Sequence, residues 1–452
     1  MTAALGRGDV FRYEGFDVDA EHGLLTCRYS VGGRAFSERV TLAPGARWET
    51  PAALAAARLV FLLAGVSYYK TAAPPVIDMG DTPLTELEQA FLREFYLQGL
   101  GEFAYRNALD LADLRINAAV RPAQPPVAGS AGRVSGGGRA LVPFGGGIDS
   151  IVSVEHVRQR ADVALFVVSR PGDRFEAIER PAAVSGLPVV RAGREIDQQL
   201  MRSAELGFLN GHVPVTGILS AIAVLAAVLG ERDAVVMSNE WSASVPTLEH
   251  DGRPVNHQYS KSASFEAAFR AVLAADPAGL PDYFSMLRDR TELWIAERFA
   301  SLEQYHASFR SCNRAFHLDK TLRLGHWCGQ CDKCCFVDLI LAPFMSAGAL
   351  RAVFAADGGG PEPLTKPELA PKFRPLLGTG TKPFECVGEV TECRAAVVLA
   401  ARRADRADCA LLQELAAEIA ARPDAPTDAE IAAMRLPVGE NFIPASYAFE
   451  KS

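Results

Sequence analysis

Four apolar runs of strand length, each followed by a helical stretch, constrain the fold of this chain more than any other feature. The runs are ALVPF, DVALFVVS, LPVVRAG and DAVVMS, and they lie between residues 140 and 238. Strands that are apolar at almost every position are typical of parallel sheets, because helices cover both faces of such a sheet. The sequence therefore predicts an α/β fold with a parallel sheet in the middle of the chain.

The segments on either side of these runs have a different character. Residues 11–42 alternate apolar and polar positions around glycine turns, which predicts short antiparallel strands, and helical patterns follow over 51–65 and 84–109. A stretch rich in Pro, Gly, Ser and Ala comes next and offers little to bury. The predicted organisation is an N-terminal α+β domain over 1–120, a flexible linker over 121–138, the sheet domain over 139–345 and a mostly helical section over 346–452.

Charge and hydropathy argue against two classes of partner. The 452 residues carry a formal net charge of -8, so there is no general basic surface for nucleic acid. The longest apolar stretch, Val215–Gly230, is shorter than the roughly 20 residues of a membrane span and predicts a buried helix. No signal peptide is recognisable at the start, so we expect a cytoplasmic protein without a membrane partner.

The first apolar run ends in the stretch LVPFGGGIDS, which predicts an anion-binding turn. Gly145, Gly146 and Gly147 fall between a predicted strand and a predicted helix, at the edge of the sheet where open α/β folds bind ligands. Glycines let backbone N–H groups approach an anion, and the helix N-terminus adds its positive end. Asp149 and Ser150 follow at the helix start, where plain helix capping is the alternative role.

A second motif consists of cysteines. Cys312 in SCNRAF precedes Cys328, Cys331 and Cys334 in WCGQCDKCC, and four thiolates at such spacings can converge on one tetrahedral zinc ion. Four protein ligands leave no open position, so the predicted Zn²⁺ site is structural. His317 and His326 are alternative fourth ligands, and an iron–sulfur cluster or free thiols are alternative outcomes.

The glycine loop resembles the Gly-Gly-x-Asp-Ser loop of PP-loop enzymes, which split ATP into AMP and pyrophosphate. Gly145 stands where that family usually has a serine. Combined with the cysteine motif, the loop resembles the 7-cyano-7-deazaguanine synthases, which carry a similar zinc site and adenylate a carboxylate. The resemblance implies a HUP/PP-loop ATP pyrophosphatase core, with residues 145–147, Asp149 and Ser150 binding ATP.

Longer stretches resemble a different family, the UDP-N-acetylmuramoyl-L-alanyl-L-glutamate epimerases of the MurL type. They include SNEWSASVPTLEHDGRPVNHQYSKSASFE, WCGQCDKCCFVDLILAPF and KPFECVGEVTE. This resemblance implies inversion of the terminal L-Glu of UDP-MurNAc-L-Ala-L-Glu in peptidoglycan synthesis, with ATP consumed to AMP and pyrophosphate and Mg²⁺ required. Activation has a physical reason, since an acyl-adenylate removes the carboxylate charge that makes the neighbouring Cα–H a very poor acid.

Several polar residues are candidates for this chemistry, each with a plainer alternative. Asn239 and Glu240 follow a predicted strand and could contact nucleotide, metal or substrate, or only cap a helix. His257 lies in the polar stretch NHQYSK, which could also be an ordinary surface loop. In KPFECVGE, Cys386 and Glu389 are candidate bases and Lys382 a candidate phosphate ligand; a buried inert thiol and a solvated lysine are the alternatives. Asp149 could assist Mg²⁺.

Three rival functions stay open on the sequence alone. A ligase of the deazaguanine type would capture the adenylate with ammonia, and a tRNA-thiolation enzyme would use the same loop on nucleic acid. A non-enzymatic nucleotide sensor would bind ATP without turnover. The acidic balance disfavours the tRNA enzyme.

Overall fold

The computed structural model describes residues 7–123, 138–250 and 252–449, so most of the predicted linker lies outside the described residues. Within them, one sheet of ten strands forms the centre of the molecule and two short strands form a separate hairpin. The strands are β1 (Val10–Asp19), β2 (Leu24–Val31), β3 (Arg34–Thr41), β4 (Val76–Asp78), β5 (Arg115–Asn117), β6 (Arg139–Pro143), β7 (Asp162–Ser169), β8 (Val189–Glu195), β9 (Ala234–Met237), β10 (Leu248–His250), β11 (Arg253–Val255) and β12 (Asp282–Ser285).

Helices cover the sheet, and short 3₁₀ turns connect many of them. The α-helices are α1 (Pro51–Ala64), α2 (Val66–Tyr69), α3 (Glu86–Gly99), α4 (Gly101–Arg106), α5 (Ile148–Val157), α6 (Glu176–Ser185), α7 (Gln198–Met201), α8 (Val215–Leu229), α9 (Ala263–Ala275), α10 (Glu292–Ala300), α11 (Asp332–Leu341), α12 (Ala347–Ala355), α13 (Ala370–Leu376), α14 (Val390–Ala401), α15 (Ala410–Ala420) and α16 (Asp428–Ala433).

The four apolar runs form the parallel part of the sheet. Strands β6 to β9 and β12 pair in the order β12-β9-β6-β7-β8, each parallel to its neighbour. Leu141 and Phe166 point into one hydrophobic core, whereas Val142 and Leu165 point into the other. Both faces of these strands are therefore buried, which explains why their sequences are apolar throughout, and the prediction of a mixed α/β fold with a mostly parallel sheet is confirmed.

The N-terminal strands extend this same sheet. Strand β3 pairs antiparallel with β8, so that Thr41 lies opposite Gly193, and β2, β1, β4 and β5 follow outward. At the junction the buried carboxylate of Glu38 accepts a hydrogen bond of 2.7 Å from Arg194 Nε. Residues before and after the predicted linker thus share one sheet, and the proposed domain division stays a prediction.

Two apolar helices pack together beneath the N-terminal half of the sheet. Helix α8 is largely buried, as the sequence predicts for it, and packs against α1. Residues Pro51–Tyr69, which comprise α1 and α2, are long and apolar enough by composition to cross a membrane, but 78% of that window is buried inside the protein. A helix in a protein core can meet the same criterion of length and composition. The burial of Pro51–Tyr69 is typical of such a core helix.

The chain order of the parallel strands reverses next to β6. From β6 the chain continues outward through β7 and β8, and it then returns to place β9 on the other side of β6. A crevice therefore opens at the carboxyl ends of β6 and β9, which is the usual ligand position in open α/β sheets.

Candidate functional site

The glycine loop turns sharply at the end of β6. Gly146 has φ 75°, and a Cβ there would lie 2.3 Å from the carbonyl oxygen of Ala177, so only glycine fits. Gly147 is the N-cap residue of α5, and the Ser150 hydroxyl donates to its carbonyl oxygen at 3.0 Å. A Cβ at Gly145 would meet nothing within 4 Å. The turn presents backbone and a helix N-terminus to the crevice, an arrangement suited to an anion.

Ser311 brings a hydroxyl to this loop from a distant part of the chain. Its Oγ lies 3.1 Å from the position that a Gly147 Cβ would occupy. The neighbouring Arg310 is buried, and its Nε and Nη1 have no hydrogen-bond partner. A hydroxyl from a distant segment thus lies beside a loop that has glycine at position 145, while Arg310 Nη2 donates to Asp357.

Asp149 is held in an unfavourable environment for a carboxylate. Its Oδ1 is buried and has no hydrogen-bond partner within the described part of the chain. Burial and the negative charge of Glu240 raise the pKa of Asp149 to about 7, although Lys333 and Lys261 work in the opposite direction. Such a group is suited to binding a cation, which would relieve the repulsion.

The residues that follow β9 lie at the same edge of the sheet. Asn239 is buried and its Nδ2 donates to Ser285 Oγ at 3.1 Å, just beyond β12. Glu240 is also buried, and its backbone carbonyl accepts from Arg288 Nη1 at 2.9 Å. Glu240 also lies near Asp149, whose pKa its charge raises, while the roles predicted for Asn239 and Glu240 stay predictions.

The KPFECVGE loop reaches the crevice from the C-terminal part of the chain. Lys261 Nζ donates to Cys386 Sγ at 3.2 Å, and Lys333 Nζ donates to the Cys386 carbonyl oxygen. The negative charge of Cys386 contributes to the raised pKa of Asp149, so the thiol lies near the carboxylate that follows the glycine loop. Two motifs separated by more than 200 residues thus meet in one pocket.

His257 joins this pocket to the N-terminal part of the sheet. Its Nδ1 lies 2.5 Å from Glu102 Oε2, and its ring centroid lies 4.3 Å from that of His212. These three side chains could be mistaken for a metal site, since their ligand atoms all lie within 4.8 Å of one another. The charges of Lys70 and Lys261 face them, however, and disfavour a cation. A hydrogen-bonded imidazolium and carboxylate explains the geometry.

Glu389 and Lys382 are engaged with each other and with a helix. Glu389 is the N-cap residue of α14, where its Oε2 accepts from the Val390 backbone at 2.8 Å, and Lys382 Nζ lies 3.5 Å from its Oε1. Glu392 lies behind them and Glu292 beside it, and burial raises the pKa of Glu392 to about 8. The roles predicted for Glu389 and Lys382 stay predictions; both residues lie close enough to Glu392 for their charges to act on it.

Several residues near Asp149 and Cys386 were not predicted from the sequence as site residues. Lys261 lies in the polar stretch that it singled out, and Lys333 lies between two predicted zinc ligands, so both were within reach of the motifs. No sequence motif marks Glu102, which lies in the short helix α4 of the N-terminal part. No motif marks Glu292 or Glu392 either, because they lie in ordinary helices.

The four predicted cysteines converge beside the pocket. Cys331 Sγ and Cys328 Sγ lie 3.4 and 3.6 Å from Cys334 Sγ, and the four sulfurs, including that of Cys312, lie within 4.8 Å of one another. Zinc–sulfur bonds of about 2.3 Å in a tetrahedron place the sulfurs about 3.8 Å apart. The cluster can therefore hold one metal ion, and neither alternative histidine belongs to it among the described residues.

Comparison with known proteins adds independent findings. Residues 3–286 match the family model of the MurL N-terminal domain, and residues 308–430 match that of the MurL C-terminal domain. Curated relatives named UDP-N-acetyl-alpha-D-muramoyl-L-alanyl-L-glutamate epimerase include proteins of Salinispora tropica and Xanthomonas oryzae pv. oryzae, each 39% identical. The first alignment covers 98% of this chain and 96% of the relative, and the second 96% and 95%. A relative from Micromonospora sp. is 38% identical, with 98% of both chains covered. No solved structure matches.

Proposed function

Since the chain belongs to the MurL epimerase family, we propose that it inverts the terminal glutamate of UDP-N-acetylmuramoyl-L-alanyl-L-glutamate from L to D. It is an isomerase of peptidoglycan precursor synthesis. The alignments with the relatives that carry this name cover 96%, 95% and 98% of those proteins. The small-molecule substrate and a cytoplasmic location follow from this assignment.

The glycine loop supports ATP as the second substrate. In this proposal the parallel sheet is a HUP/PP-loop core, and residues 145–147 with Ser150 hold the pyrophosphate part of ATP through backbone N–H groups and the N-terminus of α5. Asn239 and Lys382 are the further residues proposed to contact nucleotide or phosphate. The position of the loop at the reversal of strand order is the supporting observation.

ATP makes the inversion chemically accessible. Transfer of AMP to the terminal carboxylate removes its charge and provides an electron sink next to Cα, so that a side-chain base can take the Cα proton. A proton returned to the opposite face gives the D configuration, and hydrolysis of the adenylate then releases AMP. The observation that carries this proposal is that Lys261, which donates to the candidate base Cys386 at 3.2 Å, also lies near Asp149 of the glycine loop, whose pKa its charge lowers.

The same pocket has residues for Mg²⁺. The unpartnered Oδ1 of Asp149 is an oxygen donor of the type that Mg²⁺ prefers, and Glu240 is the nearby second carboxylate. A bound Mg²⁺ would supply charge neutralisation on the phosphates. The lysines at positions 261 and 333 add fixed positive charge on the other side of the pocket.

The cysteine cluster is proposed as a structural Zn²⁺ site. Its four sulfur ligands leave no position for substrate, and the spacing of the sulfurs fits zinc. Cys334 lies in the first turn of α11 and Cys331 is its N-cap residue, with Lys333 between them. The metal would thus hold in place the segment that carries Lys333 to the Cys386 loop.

One incubation tests the function. The protein is supplied with UDP-MurNAc-L-Ala-L-Glu, ATP and Mg²⁺, the product is hydrolysed, and the chirality of the released glutamate is determined. We expect D-Glu together with AMP and pyrophosphate, and no D-Glu when the α,β-methylene analogue replaces ATP. In D₂O, deuterium should enter Cα only when ATP and Mg²⁺ are present. Inversion without any nucleotide would contradict the activated-carboxylate mechanism.

The rival functions give different results in the same incubation. A ligase would change the mass of the substrate, whereas an epimerase returns the same mass. A nucleotide sensor would produce neither AMP nor D-Glu. A tRNA-thiolation enzyme would consume ATP only when tRNA is added.

A further inference from the structure

Three side chains from distant parts of the chain lie close to one another, in the order Glu102, His257 and Cys386. Glu102 comes from α4, His257 from the loop after β11, and Cys386 from the KPFECVGE loop. Glu102 Oε2 lies 2.5 Å from His257 Nδ1, and Cys386 Sγ accepts from Lys261 Nζ at 3.2 Å. The His257 ring centroid lies 6.3 Å from that of Phe384, two residues before Cys386, and the imidazole lies close enough to the thiol to lower its pKa. Because Nδ1 of His257 is bonded to Glu102, Nε2 is the ring nitrogen that can donate to Cys386 Sγ.

We propose that Cys386 is the thiolate that exchanges the proton at the glutamate Cα on one face, and that Glu102 and His257 are positioning residues that keep it ionised. The part of this inference that concerns the substrate rests on the proposed function. The part that concerns the thiolate rests on the geometry of the free protein.

Glu102 is anchored so that it can orient the histidine. Its side chain is 5% exposed, and its Oε1 accepts from Arg106 Nε at 2.6 Å, one turn later in the chain. The other carboxylate oxygen is thereby left for His257. A carboxylate that holds an imidazole which in turn holds a nucleophile or base is a recurring arrangement in enzymes.

Positive groups face the sulfur from several elements. They are Lys261 after the β10–β11 hairpin, Lys333 on α11 and His257, while Asp149 on α5 is the opposing acidic group. Burial works against an ionised thiol, but Lys261, His257 and Lys333 outweigh it and lower the pKa of Cys386 to about 6. Burial likewise opposes a charged His257, and its hydrogen bonds to Cys386 and Glu102 nevertheless raise the pKa of His257 to about 9. At neutral pH the row is therefore thiolate, imidazolium and carboxylate.

His212 supports the same charge distribution. Burial and the positive charge of His257 lower the pKa of His212 to about 4, so this ring stays neutral beside the charged one. Of the two neighbouring imidazoles, His257 alone carries a proton on each ring nitrogen. The imidazole charge that acts on Cys386 Sγ therefore lies on the His257 ring.

The proton transfer balances without a further reactant. In the adenylated substrate the Cα proton moves to Sγ of Cys386, and the electron pair of the broken C–H bond passes into the adjoining acyl group. The thiolate becomes a thiol, while His257 keeps its protons. An ammonium or carboxylic acid group of the same pocket then protonates Cα on the opposite face, and in the reverse direction Cys386 returns its proton.

The thiolate is tested on the full-length protein without substrate. The rate of Cys386 alkylation by iodoacetamide is measured against pH by peptide mass spectrometry. We expect a midpoint near 6 in the wild type and an upward shift of about one pH unit in Glu102→Gln, because the histidine loses its partner. Glu86→Gln, which removes an exposed charge from the neighbouring helix α3, is the matched control and should leave the midpoint unchanged. An ordinary midpoint near 9 in the wild type, or an unchanged midpoint in Glu102→Gln, would overturn the inference.

Catalysis separates the inference from the proposed function. Cys386→Ser should stop inversion and deuterium incorporation while AMP formation continues, and Glu102→Gln should lower kcat and shift its acidic limb upward with little change in KM. Glu102→Asp should restore part of the rate, since the carboxylate is kept. If Cys386→Ser still inverts glutamate, the inference fails although the function stands. If the wild type shows the low alkylation midpoint but no epimerase activity, the thiolate stands and the function fails.

Discussion

Asp149 shows how little the folded chain does to stabilise some of its own charges. Its carboxylate is repelled by Glu240 and lacks a partner at Oδ1. Asp149→Asn should therefore leave the melting temperature unchanged or slightly higher, while pyrophosphate release falls about 100-fold or more because cation binding is lost. Asp162→Asn, at the opposite end of the sheet, is the control for loss of one charge. Pyrophosphate release at the wild-type rate in Asp149→Asn would refute the assignment of the loop.

Cys331 is the residue that tests the metal cluster. Its Sγ lies 3.4 Å from that of Cys334, so Cys331→Ser removes one of four ligands. We expect loss of bound zinc, measured by elemental analysis, and a fall of roughly 4 kcal/mol in the free energy of unfolding, since the metal is part of the fold. Cys335→Ala is the matched control: this buried neighbour is outside the four-sulfur group and should keep the zinc. Iron in the wild type would contradict the zinc assignment.

At this scale the sequence predicted residues that belong to motifs and missed residues that do not. The spacing of the cysteines and the glycine loop identified two parts of the site, and the end of an apolar run identified Asn239 and Glu240. Glu102 was out of reach, because its partner His257 is 155 positions away and only the folded sheet brings them together. A single sequence contains no signal for such a pair.

The glycine loop is the element in which two neighbouring residues should respond differently. A side chain at Gly146 would collide with the Ala177 carbonyl and require a positive φ, whereas one at Gly145 would enter open space. Gly146→Ala should therefore lower ATP cleavage by about 100-fold or more and reduce stability, while Gly145→Ser should retain activity. ATP cleavage and thermal melting of both variants check this. Equal losses in the two variants would show that the loop conformation is not what matters.

Strands β3 and β8 are joined by a buried ion pair that can be tested. Arg194→Leu leaves the Glu38 carboxylate, which is 0% exposed, without its cation and should lower the free energy of unfolding by about 3–5 kcal/mol. The double variant Glu38→Gln with Arg194→Met removes both charges and should recover most of this loss, since Tyr68 can still donate to the amide oxygen. Chemical denaturation measures both, with the exposed Arg39→Leu as control. A double variant as unstable as the single one would contradict the ion-pair explanation.

Elements were more predictable than their assembly. The apolar runs predicted β6 to β9, and the alternating pattern predicted the antiparallel β1 to β3, because these periods reflect which face each strand buries. The pairing of β3 with β8 was not predictable, because the sequence of one strand does not show which distant strand it pairs with. For the same reason α1, which covers the N-terminal strands, packs on α8 from the central section.

Over the whole molecule, the C-terminal segment returns to α5, the helix that follows the glycine loop. Tyr447 is buried against Phe284, and the Phe449 ring centroid lies 3.8 Å from that of His156 on α5. His156 Nε2 lies 2.7 Å from the Tyr447 carbonyl oxygen, to which it can donate. The end of the described chain is thus part of the core around α5. The polar part of this contact is the hydrogen bond between His156 and the Tyr447 carbonyl oxygen.

This contact makes the stability of the molecule depend on pH in a defined direction. Burial, opposed by the hydrogen bond to Tyr447, lowers the pKa of His156 to about 4. Because the unfolded chain takes up this proton near pH 6.5, the contribution of a neutral His156 is fully present above about 6.5 and is lost as the pH falls toward 4. His156→Gln keeps a donor but cannot titrate, so its deficit in free energy of unfolding relative to wild type should be larger at pH 7.5 than at pH 5. Urea unfolding at both pH values measures the difference, and the exposed His22→Gln should show no such change. A deficit that grew toward acid would mean that His156 is charged in the folded protein and that the C-terminal segment is held in another way.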